Sequence, residues 1–172
     1  MNFSRTFSRF ALGGFLLVWG IGTAPAQAGV FDLMQAEKIG PLKLGLAVSK
    51  LPDFKHCKLQ KGERQFWGAD GAYHQHWFSK VCGFDLVLLS ERQDSAQTLE
   101  SVRIFAPNAW KTLAGIGLGN SLAQVQKAYG KHYNAAESLA GKTFVAGSIY
   151  GGLILSFDKG KVSEIFLGAG AE

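Results

Sequence analysis

The chain has little cysteine, only a modest surplus of charge and a single apolar run, which lies at its start. Only two cysteines, Cys57 and Cys82, occur in 172 residues. They do not form a Cys-x-x-Cys pair, so a thioredoxin-like redox motif is excluded. No run of about 18 apolar residues follows the first segment, so no transmembrane anchor is expected in the mature chain. Lysine and arginine number 18 against 13 acids, a net charge of +5. That is far from a nucleic-acid footprint, and nucleic acid is not an expected partner. Paired carboxylates for acid-base work are not evident. Glu63, Asp70 and Asp85 fall at polar or turn positions and are expected on solvated surface. With no recognisable catalytic set, no enzyme and no cofactor are expected, and a hydrolase of envelope material has no residues to rest on.

What the chain does have begins at its N-terminus. Arg5 and Arg9 form a basic start, Ala11 to Ile21 is apolar, and Ala26 and Ala28 occupy the -3 and -1 positions of a cut before Gly29. This is the pattern of a secretory signal peptide. The residue directly after the cut is Gly29 and not cysteine, so a lipoprotein signal is not expected. The expected location is the periplasm or outside the cell. Removing residues 1–28 leaves 172 - 28 = 144 residues, enough for one domain with a real core. It also removes two arginines, so the charge becomes 16 - 13 = +3. In an oxidising compartment Cys57 and Cys82 are expected to form a disulfide, and their loop gives roughly 3–4 kcal/mol of stabilisation.

The mature chain reads as two copies of one pattern. Leu42 to Leu51 aligns with Ile116 to Val125, each with Leu-Gly followed by a short amphipathic helix. Gly83-Phe84-Asp85-Leu86 matches Gly152-Leu153-Ile154-Leu155. Leu99, Val102 and Ile104 match Val162, Ile165 and Leu167 in spacing. The expected division is a signal peptide at 1–28, a first repeat at 29–107 carrying a disulfide-closed aromatic insert, and a second repeat at 108–172. In the second copy Ser121 and Gln124 fit a capping box. Leu122, Val125, Ala128 and Tyr129 share a helical face, and Gly130 is expected to end the helix in a left-handed conformation. Strands Leu153–Asp158 and Val162–Leu167 follow, turned by Lys159-Gly160. In the first copy Pro52 cuts the helix short, and Phe31 to Lys38 reads as a short leading helix. Strands at Arg64–Trp67 and Tyr73–Ser79, joined by a turn at 68–71, complete an α+β fold in which each repeat packs a short helix on antiparallel strands.

These motifs resemble the tandem helix-plus-sheet repeat of the β-lactamase-inhibitory-protein-like fold, which the SmpA-OmlA-like outer-membrane-assembly lipoproteins carry as a single unit. The matching elements are Gly117 to Gly130 with Gly152 to Leu167. They are glycines, a cap and core positions, so the resemblance transfers no catalytic residue. Known members bind proteins, and the resemblance implies a binding or inhibitory role. This chain lacks the lipobox cysteine, and its Cys57–Cys82 segment has no counterpart in that pattern.

Two near misses have structural readings. Gly115 to Asn120 lacks the third glycine of a dinucleotide fingerprint and reads as a turn before a capped helix. Gly119 to Ala123 lacks the last glycine of a nucleophile elbow, and Ser121 is the cap.

The disulfide loop is the best candidate for a site. Phe66, Trp67, Tyr73, Trp77 and Phe78 lie there beside Lys58, Lys61, Arg64 and Lys80. Strand alternation puts Tyr73, Gln75, Trp77 and Ser79 on one face and His74, His76, Phe78 and Lys80 on the other. One face is core; the other can present aromatic and basic groups, which are enriched at binding hot spots. Trp67, Tyr73, Trp77, Arg64 and Lys61 are the candidate binding residues for an envelope protein or polymer. The competing reading is a small-ligand or metal carrier, in which His74 and His76 meet one ion with His56 or Asp70 as a third ligand.

Overall fold

The computed structural model describes residues 31–170, so the expected signal peptide at 1–28 lies outside the described residues. The chain forms a mixed α+β fold. Helix α1 spans Asp32–Ala36, within the leading segment expected to be helical. Strands β1 (Gln60–Lys61), β2 (Gln65–Trp67), β3 (Ala72–Ser79), β4 (Phe84–Ser90) and β5 (Thr98–Phe105) follow. Helix α2 spans Leu122–Tyr129, and β6 (Thr143–Ser148), β7 (Gly151–Asp158) and β8 (Lys161–Gly168) close the chain. Among the described residues no helix is long and apolar enough to cross a membrane.

Among the described residues all eight strands join one antiparallel sheet in the order β1-β3-β4-β5-β8-β7-β6, with β2 also paired to β3. Two consecutive meanders, β3-β4-β5 and β6-β7-β8, therefore meet at their last strands. At this seam Val102 faces Leu167 and Ile104 faces Ile165. One sheet face is core. Phe84, Leu86 and Leu88 on β4 alternate with half-buried residues, as period-2 geometry requires. Leu99, Val102, Ile104, Leu153, Leu155, Ile165 and Leu167 continue that apolar face.

Helix α2 covers it because its sequence defines both a start and a stripe. Ser121 accepts from the Gln124 amide while the Gln124 side chain accepts from the Ser121 amide, the reciprocal capping box expected there. Val125 and Tyr129 are buried, and Leu122 and Ala128 pack beside them. Gly130 corrects one expectation. It has φ -56°, not a left-handed φ, and leads into a 3-10 turn at Gly130–His132. Among the described residues the first half has no counterpart of α2; Val48–Lys50 makes only a 3-10 turn before Pro52.

Each Leu-Gly element ties its half to a closing strand in the same way. Gly45 donates to the Leu99 carbonyl and Leu99 donates to the Leu46 carbonyl. Gly119 donates to the Val162 carbonyl and Val162 donates to the Asn120 carbonyl. Both glycines sit at φ near +80° (79° and 83°), where an L side chain is strained. The β7–β8 turn has Lys159 and Gly160 both at positive φ, the geometry a two-residue hairpin needs.

Cys57 and Cys82 are disulfide-bonded, as expected. The bridge joins the 3-10 turn Lys55–Cys57 to the turn after β3. Ser79, between them, donates to the Cys57 carbonyl and accepts from the Cys82 amide.

Candidate functional site

The sheet face opposite the core carries a lateral row of side chains. Phe78, Asp85, Arg103, Phe166 and Ile154 are successive cross-strand partners from β3 to β7. The parallel row places His76 beside Val87 and Val87 beside Ser101. Together with Trp67, Ala169 and Gly170, residues of these two rows line a cleft of about 210 Å³. No residue of α1 or α2 lines it. The Arg103 guanidinium stands 5.6 Å from the Phe166 ring centroid, a cation–π pair that leaves its donors available. His76 Nδ1 lies 3.4 Å from Asp85 Oδ1.

A second cluster borders this cleft where β2 folds against β3. Trp67 stacks on His74 with ring centroids 4.0 Å apart and planes at 16°. His74 is only 2% exposed. Its Nε2 lies 2.8 Å from Asp70 Oδ2, and its Nδ1 lies 2.8 Å from Glu100 Oε2. The Ala72 amide holds the other Asp70 oxygen. Desolvation works to raise the Asp70 pKa, but the Ala72 N–H and the His74 imidazole outweigh it and hold the carboxyl below its ordinary value.

The sequence-derived candidates separate into different places. Trp77 is 8% exposed and belongs to the core cluster, which corrects its assignment to a binding surface. Lys61 Nζ sits 3.7 Å above the centre of the Trp77 ring, so this candidate pair is a packing contact over the core. Arg64 donates to the carbonyls of Gln93 and Ser95, pinning the loop before β5. Tyr73 packs against Phe66, which is exposed, with ring centroids 5.3 Å apart. Trp67 alone of the five lines the cleft.

His74 and His76 do share a strand face, yet they take different partners. His74 faces Asp70 and Glu100, and His76 faces Asp85. Asp70 and Asp85 thus each contact an imidazole, which is more than the plain solvated surface expected of them. Arg103, Phe166 and Glu100 are the residues that sequence reading missed. Arg103 and Phe166 occupy solvent-side positions of the two closing strands, and the pairing that makes them neighbours crosses the two halves.

No family model, no curated protein and no solved structure matches this chain.

Proposed function

We propose that this is an exported envelope protein that works by binding another protein on the open face of its sheet. The observation that carries this reading is the cleft around Arg103 and Phe166, lined by strand residues and left uncovered by either helix. A rigid sheet holds an exposed guanidinium, an aromatic ring and Trp67 together, the residue types enriched at protein interfaces. The partner that fits presents an acidic segment, for which Arg103 is the anchor. The N-terminal Arg5 to Ala28 pattern and the Cys57–Cys82 disulfide support an oxidising, exported location. The activity is binding, not turnover.

The architecture behind this face is a tandem duplication. Mirrored strand order supports it: β3-β4-β5 runs to the seam and β8-β7-β6 runs away from it. A pseudo-twofold that exchanges Val102 with Ile165 and Ile104 with Leu167 turns one seam pair into the other. The matching hydrogen bonds of Gly45 with Leu99 and of Gly119 with Val162 obey the same exchange. The duplication is supported in the strands alone: where the second half has helix α2, the first has only the 3-10 turn Val48–Lys50.

The test is capture from native envelope extract by the full chain, compared with Arg103→Glu and with Lys127→Glu on helix α2. A partner retained by the parent and by Lys127→Glu but lost by Arg103→Glu is the expected result. Equal capture by all three proteins would move the interface off this face. No partner from any extract would remove the binding role.

A further inference from the structure

The His74 cluster has a chemistry that the binding role does not use. A carboxylate oxygen only accepts, so the 2.8 Å contact between His74 Nε2 and Asp70 Oδ2 places a proton on Nε2. The remaining nitrogen, Nδ1, is buried and stands 2.8 Å from Glu100 Oε2, an ion pair when the imidazole carries both protons. A lone pair and a carboxylate oxygen at that distance repel unless a positive charge lies between them. One ligand atom from each of Asp70, His74 and Glu100 falls within 4.8 Å of the others.

The backbone is arranged to bring them together. β4 and β5 pair Val87 with Ser101 and Leu88 with Leu99, which leaves Glu100 as the extra residue of a β-bulge. Bulges re-aim a side chain out of the regular alternation and recur beside functional sites. Asp70 is held by the Ala72 amide, and the imidazole is held flat by Trp67. A carboxylate on one imidazole nitrogen and a metal on the other is the usual way a protein orients a histidine ligand.

We propose that Asp70, His74 and Glu100 form a zinc-class divalent-cation site, in which His74 Nδ1 and Glu100 Oε2 are the ligands and Asp70 positions the imidazole through Nε2. Imidazole with carboxylate suits zinc and copper. Tetrahedral ligands about 2.0–2.2 Å from zinc stand roughly 3.3–3.5 Å apart. The Glu100 side chain, 32% exposed, supplies that small opening by rotation. Water reaching the exposed side of Glu100 completes the coordination. His76 takes no part, so the ligands differ from those that strand alternation alone suggests.

The experiment is titration of the untagged, disulfide-bonded full chain with Zn²⁺ alone, read by calorimetry and by the imidazole ¹⁵N shifts of His74. One bound equivalent is expected, with Nδ1 moving strongly and the Nε2 proton retained. Glu100→Gln should weaken binding by about tenfold or more, and Asp70→Asn by about 10- to 100-fold. His76→Ala should bind as the parent does. His74→Ala opens space beneath Trp67, so the decisive variant is the near-isosteric Glu100→Gln, with its fold checked by circular dichroism. Failure to bind zinc, equal binding by Glu100→Gln, or loss of binding in His76→Ala would each overturn the site. So would an Nδ1 that carries a proton and does not shift at saturating zinc, because the charge between the two groups would then be that proton.

Discussion

Tyr129 Oη lies 2.7 Å from Glu37 Oε2, joining the end of α2 to a carboxylate 92 positions earlier in the chain. The link is the last in a relay: the Ile116 amide donates to Thr112 Oγ1, which in turn donates to Tyr129, and Tyr129 donates to Glu37. Glu37 is only 3% exposed and also accepts from the amides of Lys38 and Leu113. Tyr129→Phe removes one of its donors without removing the ring. A loss of about 1–3 kcal/mol is expected, measured by urea unfolding.

The same contact predicts an alkaline limb. Burial pushes the Tyr129 phenol above its ordinary 10.0; the Thr112 hydroxyl opposes this, and Glu37 adds to the rise. The folded chain therefore keeps a proton that the unfolded chain releases. Stability from this group is intact below pH 10.0 and falls as the pH climbs above it. Tyr129→Phe should flatten that decline, and an unchanged alkaline profile would contradict the assignment.

Trp67 and Trp77 should part company on substitution. Trp77→Ala empties a core position and should cost about 3–5 kcal/mol. Trp67→Ala removes a stacking partner of His74 and should cost about 0.5–1.5 kcal/mol. Denaturant midpoints from circular dichroism distinguish them, and equal losses would refute the division between core and rim.

That division marks the limit of what could be read in the chain beforehand. β3, β7 and β8 were legible within a residue or two because alternation and turn residues are local signals. The capping box at Ser121 was legible for the same reason. β6 was not, since Thr143–Ser148 follows a long segment with no clear period. Alternation also placed His74 and His76 correctly on one face. It could not show that the burial phase changes along β3, from Ala72 and His74 beside Trp67 to Trp77 and Ser79 over the core. Glu100 was out of reach, because its position depends on a bulge set by strand pairing.

The two Leu-Gly turns make a paired prediction. A Cβ added at Gly45 or Gly119 meets nothing within 4 Å, so only the positive φ opposes alanine. Gly45→Ala and Gly119→Ala should each cost about 1–2 kcal/mol, with similar values. Gly130 is equally open but has φ -56°, so Gly130→Ala should stabilise by about 0.4–1 kcal/mol. Thermal melts of the three variants test both the signs and the match.

Acid should loosen the Asp70 contact. Its carboxyl is held below the ordinary 3.8, so its contribution is complete above that pH and is lost as the pH falls through the lower folded value. Asp70→Asn should shed that part of the acid limb. Unfolding midpoints taken from neutral pH to below 3.8 would show a flatter profile for the variant; coincident profiles would count against the contact.

The seam has a bearing on how such a chain can change over generations. β5 and β8 sit at the centre, hydrogen-bonded edge to edge, while β3 and β6 lie toward opposite rims. At one rim the chain adds β1, β2 and a disulfide; at the other it lays residues 133–139 along β6. Additions at a rim cost little more than closing a loop, and they leave the middle undisturbed. New specificities can therefore be tried at either margin, one at a time, while the centre stays as it is.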